Sequence, residues 1–143
     1  MSLPNTAAIF SRVGAIAFVE SMTAANNTID ITSGTSYLIC TADATNGGWV
    51  REVRVKVNPA NNSAATVIRL WINNGSTTGT SSNTAIFSEI SLPATTASAT
   101  AALPDFSFGL NLALNPGYKL YATMGTAVGG SCELTCTAVL GAY

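Results

Sequence analysis

Histidine does not occur anywhere in this chain of 143 residues. Its absence removes the most frequent general base, the most frequent metal ligand and every Ser-His or Cys-His nucleophile system. Charge is scarce too. Six Lys and Arg and seven Asp and Glu make up 9% of the chain, against roughly 25% in ordinary soluble domains. At a net charge of -1, no global field draws the protein toward nucleic acid or an anionic membrane. No apolar run approaches the roughly 18 residues that a membrane-spanning helix needs. Val13 to Val19, behind Arg12, faintly resembles a signal-peptide core, but Glu20 follows at once and a first strand is the expectation.

Cysteine is limited to Cys40, Cys132 and Cys136. The last two lie four residues apart in a strand-like run, ~13 Å at ~3.3 Å per residue, too far to bridge without bending the chain. Cys40 can meet one of them across neighbouring strands; the expectation is buried free thiols. Without histidine or a CxxC pair, they make no zinc site. Gly47-Gly48 and Gly129-Gly130 are turn signals with no helix following, so no phosphate-binding loop is present. The acids Glu20, Asp30, Asp43, Glu52, Glu89, Asp105 and Glu133 are scattered singly. Two of them would have to converge in one groove to hydrolyse a glycoside. Asp43 and Asn46 offer oxygens to calcium, but without an EF-hand pattern they read as a plain turn. The expectation is therefore no enzyme, with no catalytic, cofactor-binding or metal-binding residues.

Thr, Ser, Asn and Ala fill the space that charge leaves. Such a surface is polar but nearly uncharged. Either copies of the protein or a partner cover much of it, or it is the coat of an extracellular-type β domain.

Alternation is the dominant pattern. In the stretch from Trp49 to Asn58, Val53, Val55 and Val57 alternate with Glu52, Arg54 and Lys56, a period of two that marks a half-buried strand. From Ala65 to Asn73, Ile68, Leu70 and Ile72 alternate with Val67, Arg69 and Trp71. Pro59, Asn61, Asn62 and Ser63 lie between and supply turn chemistry. Together the two arms read as a long antiparallel hairpin. Further strands are expected near Gly14–Glu20, Asn27–Thr32, Ser36–Ala42, Thr84–Leu92, Phe106–Leu114, Tyr118–Met124 and Cys132–Leu140, with a short one within Thr96–Leu103. Gly75 to Asn83 reads as a flexible loop, and Asn115-Pro116-Gly117 as a turn. No stretch carries a capped apolar stripe at helical spacing. The prediction is an all-β antiparallel sandwich, jelly-roll-like, with an immunoglobulin-like sandwich as the alternative. Residues 1–11 form an N-terminal arm and residues 12–143 a single domain. In the arm, Ile9 and Phe10 are costly to leave in water and are candidates to dock on the body or on a neighbour.

Four of the six basic residues, Arg51, Arg54, Lys56 and Arg69, fall within the hairpin. With the valines inward, Arg54 and Lys56 face outward, and Arg69 and Trp71 share the outward side of the other arm. A Trp beside an Arg is a pairing that anchors interfaces. Arg54, Lys56, Arg69, Trp71, Ile9 and Phe10 are the candidate interface residues. The alternative is a wet sheet face whose Trp is shielded by a loop.

Leu114-Asn115-Pro116-Gly117-Tyr118-Lys119-Leu120-Tyr121 resembles the entry into a strand in many viral and lectin-like jelly rolls. The closing Thr137 to Tyr143, together with Arg69 to Gly75, resembles small virion proteins of tailed bacteriophages, of the head decoration or cement kind. The resemblance covers the last two thirds of the chain as a pattern. It implies a structural virion protein on the outer surface of the capsid, typically a homotrimer at local threefold sites. Its partners would be the major capsid protein and its own copies, with no nucleic acid and no membrane. The competing expectation is a carbohydrate-binding, lectin-like module, in which Trp49, Trp71, Tyr118 and Tyr121 offer stacking faces beside Asn73 and Asn74.

Overall fold

A computed structural model of the chain describes residues 13–26, 28, 31, 33–58, 61–76, 82–129 and 132–142. Eight strands follow one another: β1 (Val13–Met22), β2 (Tyr37–Thr41), β3 (Gly48–Asn58), β4 (Thr66–Asn73), β5 (Thr84–Leu92), β6 (Phe106–Leu114), β7 (Lys119–Met124) and β8 (Glu133–Ala142). Among the described residues there is no helix. The strands form two four-stranded sheets, β1-β8-β3-β6 and β2-β7-β4-β5, and every pairing is antiparallel.

The pairing rule is simple. The first strand pairs with the last, the second with the seventh, the third with the sixth and the fourth with the fifth. Successive rungs of this long folded ribbon alternate between the two sheets. The pairs β3–β8 and β4–β7 then close each sheet. This is the order of a jelly roll, two sheets packed face to face, and the expected sandwich class holds. The immunoglobulin-like order, with its seven strands, does not describe it.

Alternation explains the core. On β3, Val53, Val55 and Val57 are buried, and on β8 so are Leu134, Cys136 and Ala138. Across the sandwich Ile68, Leu70, Leu120, Ala122 and Met124 meet them in one hydrophobic cluster that draws on both sheets. Each such aliphatic side chain contributes roughly 1.5–3 kcal/mol when fully buried.

Two expectations are corrected here. The first is the hairpin between the valine-rich arm and the arm bearing Trp71. β3 and β4 lie in different sheets and do not pair. Their valines and isoleucines face each other across the core instead of standing side by side. Both arrangements bury alternate residues, so the period of two could not separate them. The chain crosses between sheets after β3, and Ser63 bridges to Thr95 on the way. The true hairpin joins β4 to β5, and the Asn74 amide donates to the Asn83 carbonyl at 3.0 Å across its mouth.

The second correction concerns the short strand expected within 96–103, where the chain is bends and irregular; of the strand expected near 27–32 only Thr28 and Ile31 are described, both as bends, and the rest lies outside the described residues. Around Thr28, Asn26 takes over. Its side-chain amide donates to the carbonyls of Ser33 (2.9 Å) and Thr35 (3.4 Å), and its oxygen accepts from the Thr28 amide (3.0 Å). A buried asparagine satisfied in this way offers the backbone an alternative to a ladder. Asn26 also begins an Asn-Asn-Thr triplet of the N-glycosylation pattern, and at 1% exposure it is not an acceptor in the folded chain. The expected arm, with Ile9 and Phe10, lies outside the described residues.

Candidate interaction surfaces

The candidate interface residues do not form one patch. Arg54 and Lys56 project from the outward side of the β1-β8-β3-β6 sheet, because their neighbours Val53, Val55 and Val57 are turned into the core. Arg69 and Trp71 belong to β4, on the opposite side of the sandwich. The separation of the two sheets breaks the predicted cluster into two pairs.

Within each pair the charges are tied locally. Lys56 Nζ donates to the Leu103 carbonyl at 3.0 Å and pairs with the Asp105 carboxylate. This hydrogen bond and charge hold the Asp105 carboxyl below its usual value of 3.8. Arg54 Nε lies 3.8 Å from Glu52 Oε1, and its side chain is 62% exposed. Arg69 Nε donates to Glu89 Oε1 at 2.7 Å. Asp43 is engaged in its own turn: its carboxylate accepts from the Thr45 and Asn46 amides at 2.9 and 2.7 Å, and these bonds lower its pKa. Among the described residues, no cluster of three or more His, Cys, Asp or Glu is placed to hold a metal ion.

Trp71 is the larger departure. It stands on the outward side of its sheet, as the alternation requires, yet it is only 3% exposed. Its indole N–H donates to Thr123 Oγ1 at 2.9 Å. Register places it in a row that runs across all four strands, Leu38–Tyr121–Trp71–Ile86. Trp71 is thus the covered centre of an apolar stripe and not an open anchor. The residues that remain available are at the ends: Leu38 at 44% exposure and Ile86 at 49%, with Phe87 beside it at 45%. Sequence reasoning passed over these three. Each lies in a strand with an ordinary pattern; only the register sets Leu38 and Ile86 in the Trp71 row, and Phe87 is the residue that the β4–β5 register skips.

A second apolar surface lies on the other sheet. Ile16 (68% exposed) and Phe18 (56%) point outward from β1. They share cross-strand rows with Val139 and Glu52, and with Thr137 and Arg54. Contiguous exposed apolar side chains of this kind mark binding surfaces more often than chance.

Two open depressions lie among the described residues. One, of about 580 Å³, is bordered by Thr66, Arg69, Ser91, Gly125 and Thr126, and its only cation is the Arg69 already bound to Glu89. The other, of about 390 Å³, is bordered by Tyr118, Asn74, Asn83, Thr84 and Ile72. The three cysteines are buried and free, as expected. Burial pushes Cys40 up to about 11 and Cys136 up to about 12.

Comparison of the chain with protein-family models, curated proteins and solved structures returned no match.

Proposed function

We propose that the protein is a structural virion protein of the capsid decoration or cement kind, binding the major capsid protein on the outer surface of the shell as a homo-oligomer. One observation carries this reading. A sandwich with very little charge bears exposed apolar side chains on both outward faces, Ile16 and Phe18 on one and Leu38, Ile86 and Phe87 on the other. Cement needs two adhesive sides, one for the shell and one for its neighbours. The face of Leu38, Ile86 and Phe87 is assigned to the shell, and the β1 side to other copies. Affinity on a repeating lattice then comes from many modest contacts and not from one large one. The jelly-roll order is compatible with this, although the fold alone assigns no role.

The test is co-sedimentation with purified shells stripped of their accessory proteins. Saturable binding is expected, reduced at least tenfold by Ile86→Lys or Phe87→Lys in chains that keep their melting temperature. Failure of the unaltered chain to sediment with any shell of its own source would end the reading.

A carbohydrate-binding reading retains one supporting observation, the depression where Tyr118 stands beside Asn74 and Asn83. Trp71 no longer contributes to it, being covered. Glycan titration followed by tyrosine fluorescence, with Tyr118→Ala as the control, decides it. No response across a broad panel would dismiss sugar binding.

A further inference from the structure

We infer that β1 is a self-pairing edge: two copies of this chain join antiparallel through it, about a twofold axis centred on Ile16. The inference deepens the self-association part of the reading above and rests on it, but does not require shell binding.

The first observation is that β1 is an edge. It ends its sheet, and among the described residues no strand pairs with its far side. Alternate residues of such a strand turn their N–H and C=O groups away from the sheet, a ready template for another strand.

The second is that the other three edges are interrupted along their length, whereas β1 is interrupted only beyond Val19, where its register shifts before Met22. β2 is five residues long, and its register breaks between Leu38 and Cys40. The register of β5 breaks opposite Leu70 and Trp71, and it carries Glu89. The register of β6 breaks opposite Val50 and Glu52, and Asn111 holds a φ of 45° there. Short length, bulges and charge are the usual means of keeping edges apart. β1, by contrast, keeps an unbroken register from Val13 to Val19, and that run holds no charge and no proline.

The third is that the run complements itself. A twofold axis at Ile16 sets Ile16 against Ile16 of the second copy, Ala15 against Ala17, Val13 against Val19 and Gly14 against Phe18. The last pair matters most. Phe18 is large and exposed, while the space where a Gly14 side chain would stand has nothing within 4 Å. An aromatic lying over a cross-strand glycine fills that space and covers the bare backbone. Any other register loses the Phe–Gly match.

Seven paired residues span about 20 Å at ~3.3 Å per residue. Such a contact falls short of the roughly 800 Å² per partner of a standard interface. The dyad is therefore weak in isolation and gains from repetition on a lattice. It is isologous, each copy presenting the same strand to the other.

Cysteine cross-linking in the full chain reads the register directly. Opposed residues of an antiparallel pair have Cα atoms ~4.5–5.5 Å apart, within disulfide reach. Under oxidised glutathione, Ile16→Cys is expected to form a disulfide dimer at least tenfold faster than Val13→Cys, whose opposite is Val19. Gly14→Cys mixed with Phe18→Cys is expected to give at least tenfold more dimer than either alone. The unaltered chain, with its three buried thiols, sets the background. Equal rates for Ile16→Cys and Val13→Cys, or no gain on mixing, overturn the inference. Shell co-sedimentation of the same chains separates the two ideas. Shell binding without register-specific cross-linking removes the β1 pairing and leaves the cement reading. Cross-linking in a chain that binds no shell does the reverse.

Discussion

Trp71 and Thr123 lie 52 residues apart in sequence and are joined by a 2.9 Å hydrogen bond from the indole nitrogen to the hydroxyl, with both residues buried. The bond sits on the outward side of a sheet, where alternation alone predicts water. It lets a large amphipathic side chain lie flat without leaving its one donor unpaired.

Breaking this pair from both sides should cost less than the two single losses added together. Thr123→Val leaves a buried indole N–H without an acceptor, and Trp71→Phe leaves a buried hydroxyl without its donor, each at roughly 1–3 kcal/mol. The double variant removes both halves, so its loss should fall short of the sum by about 1 kcal/mol. Urea unfolding of the four chains measures this coupling. Strict additivity would mean the contact is idle.

Gly47 and Gly117 provide a second comparison. Both hold positive φ, 77° and 74°. A Cβ on Gly117 would meet nothing within 4 Å, whereas one on Gly47 would stand 2.4 Å from the Leu114 carbonyl oxygen. Gly117→Ala should therefore lose only the left-handed penalty of about 1–2 kcal/mol. Gly47→Ala must also push β6 away from the turn that Asp43 organises, and should lose on the order of 3 kcal/mol or more. Thermal melting separates them. Equal losses would show that the close approach to Leu114 is not rigid.

These features differ in how far the sequence revealed them. The eight strands were visible as alternating runs between Gly, Asn and Pro turns, because alternation is a local property. The partner of each strand was not. The pattern of Val53, Val55 and Val57 is the same whether Ile68 and Leu70 stand beside it or across the core. The burial of Trp71 depends on Thr123, and the exposure of Ile16 and Phe18 depends on β1 ending its sheet against β8, more than a hundred residues away. Arg54 and Lys56 were placed correctly on an outward face because that needs only the parity of one strand. Their grouping with Arg69 and Trp71 required the pairing, and failed with it.

The Lys56–Asp105 pair gives a pH prediction on the outward face of β3. Asp105 titrates below 3.8 in the folded chain, chiefly through its hydrogen bond and charge contact with Lys56, with a smaller share from Arg54. A depressed carboxylate pKa stabilises the fold above the unfolded value and loses that contribution as pH falls through the folded one. The effect is thus complete above about pH 3.8 and disappears below it. In Lys56→Met the Asp105 midpoint should move back toward 3.8, read from its side-chain carboxyl carbon by NMR. An unmoved midpoint would place the cause elsewhere. Because the group is fully exposed, added salt should shrink the difference between the two chains.

The thiols set the opposite limit of the pH range. Burial raises Cys136 from 9.0 to about 12 and Cys40 from 9.0 to about 11. A raised folded pKa gives stability that is complete below the unfolded value and is lost as pH rises through the folded one. The melting temperature should therefore hold steady up to about pH 9 and fall between there and pH 12. At pH 8 a shift of this size leaves Cys136 with about a thousandfold less thiolate than an ordinary cysteine. Closed packing slows it further, since its sulfur sits 3.4 Å from Met22 Sδ in the core. Native protein should react with a disulfide reagent far more slowly than unfolded protein, which should show all three thiols at once. Replacing both residues, Cys40→Ala with Cys136→Ala, should lower stability at neutral pH by opening small cavities. It should also flatten the alkaline fall, because no buried group is then left to ionise at those two positions. A double variant that keeps the full alkaline slope would show that neither thiol causes it.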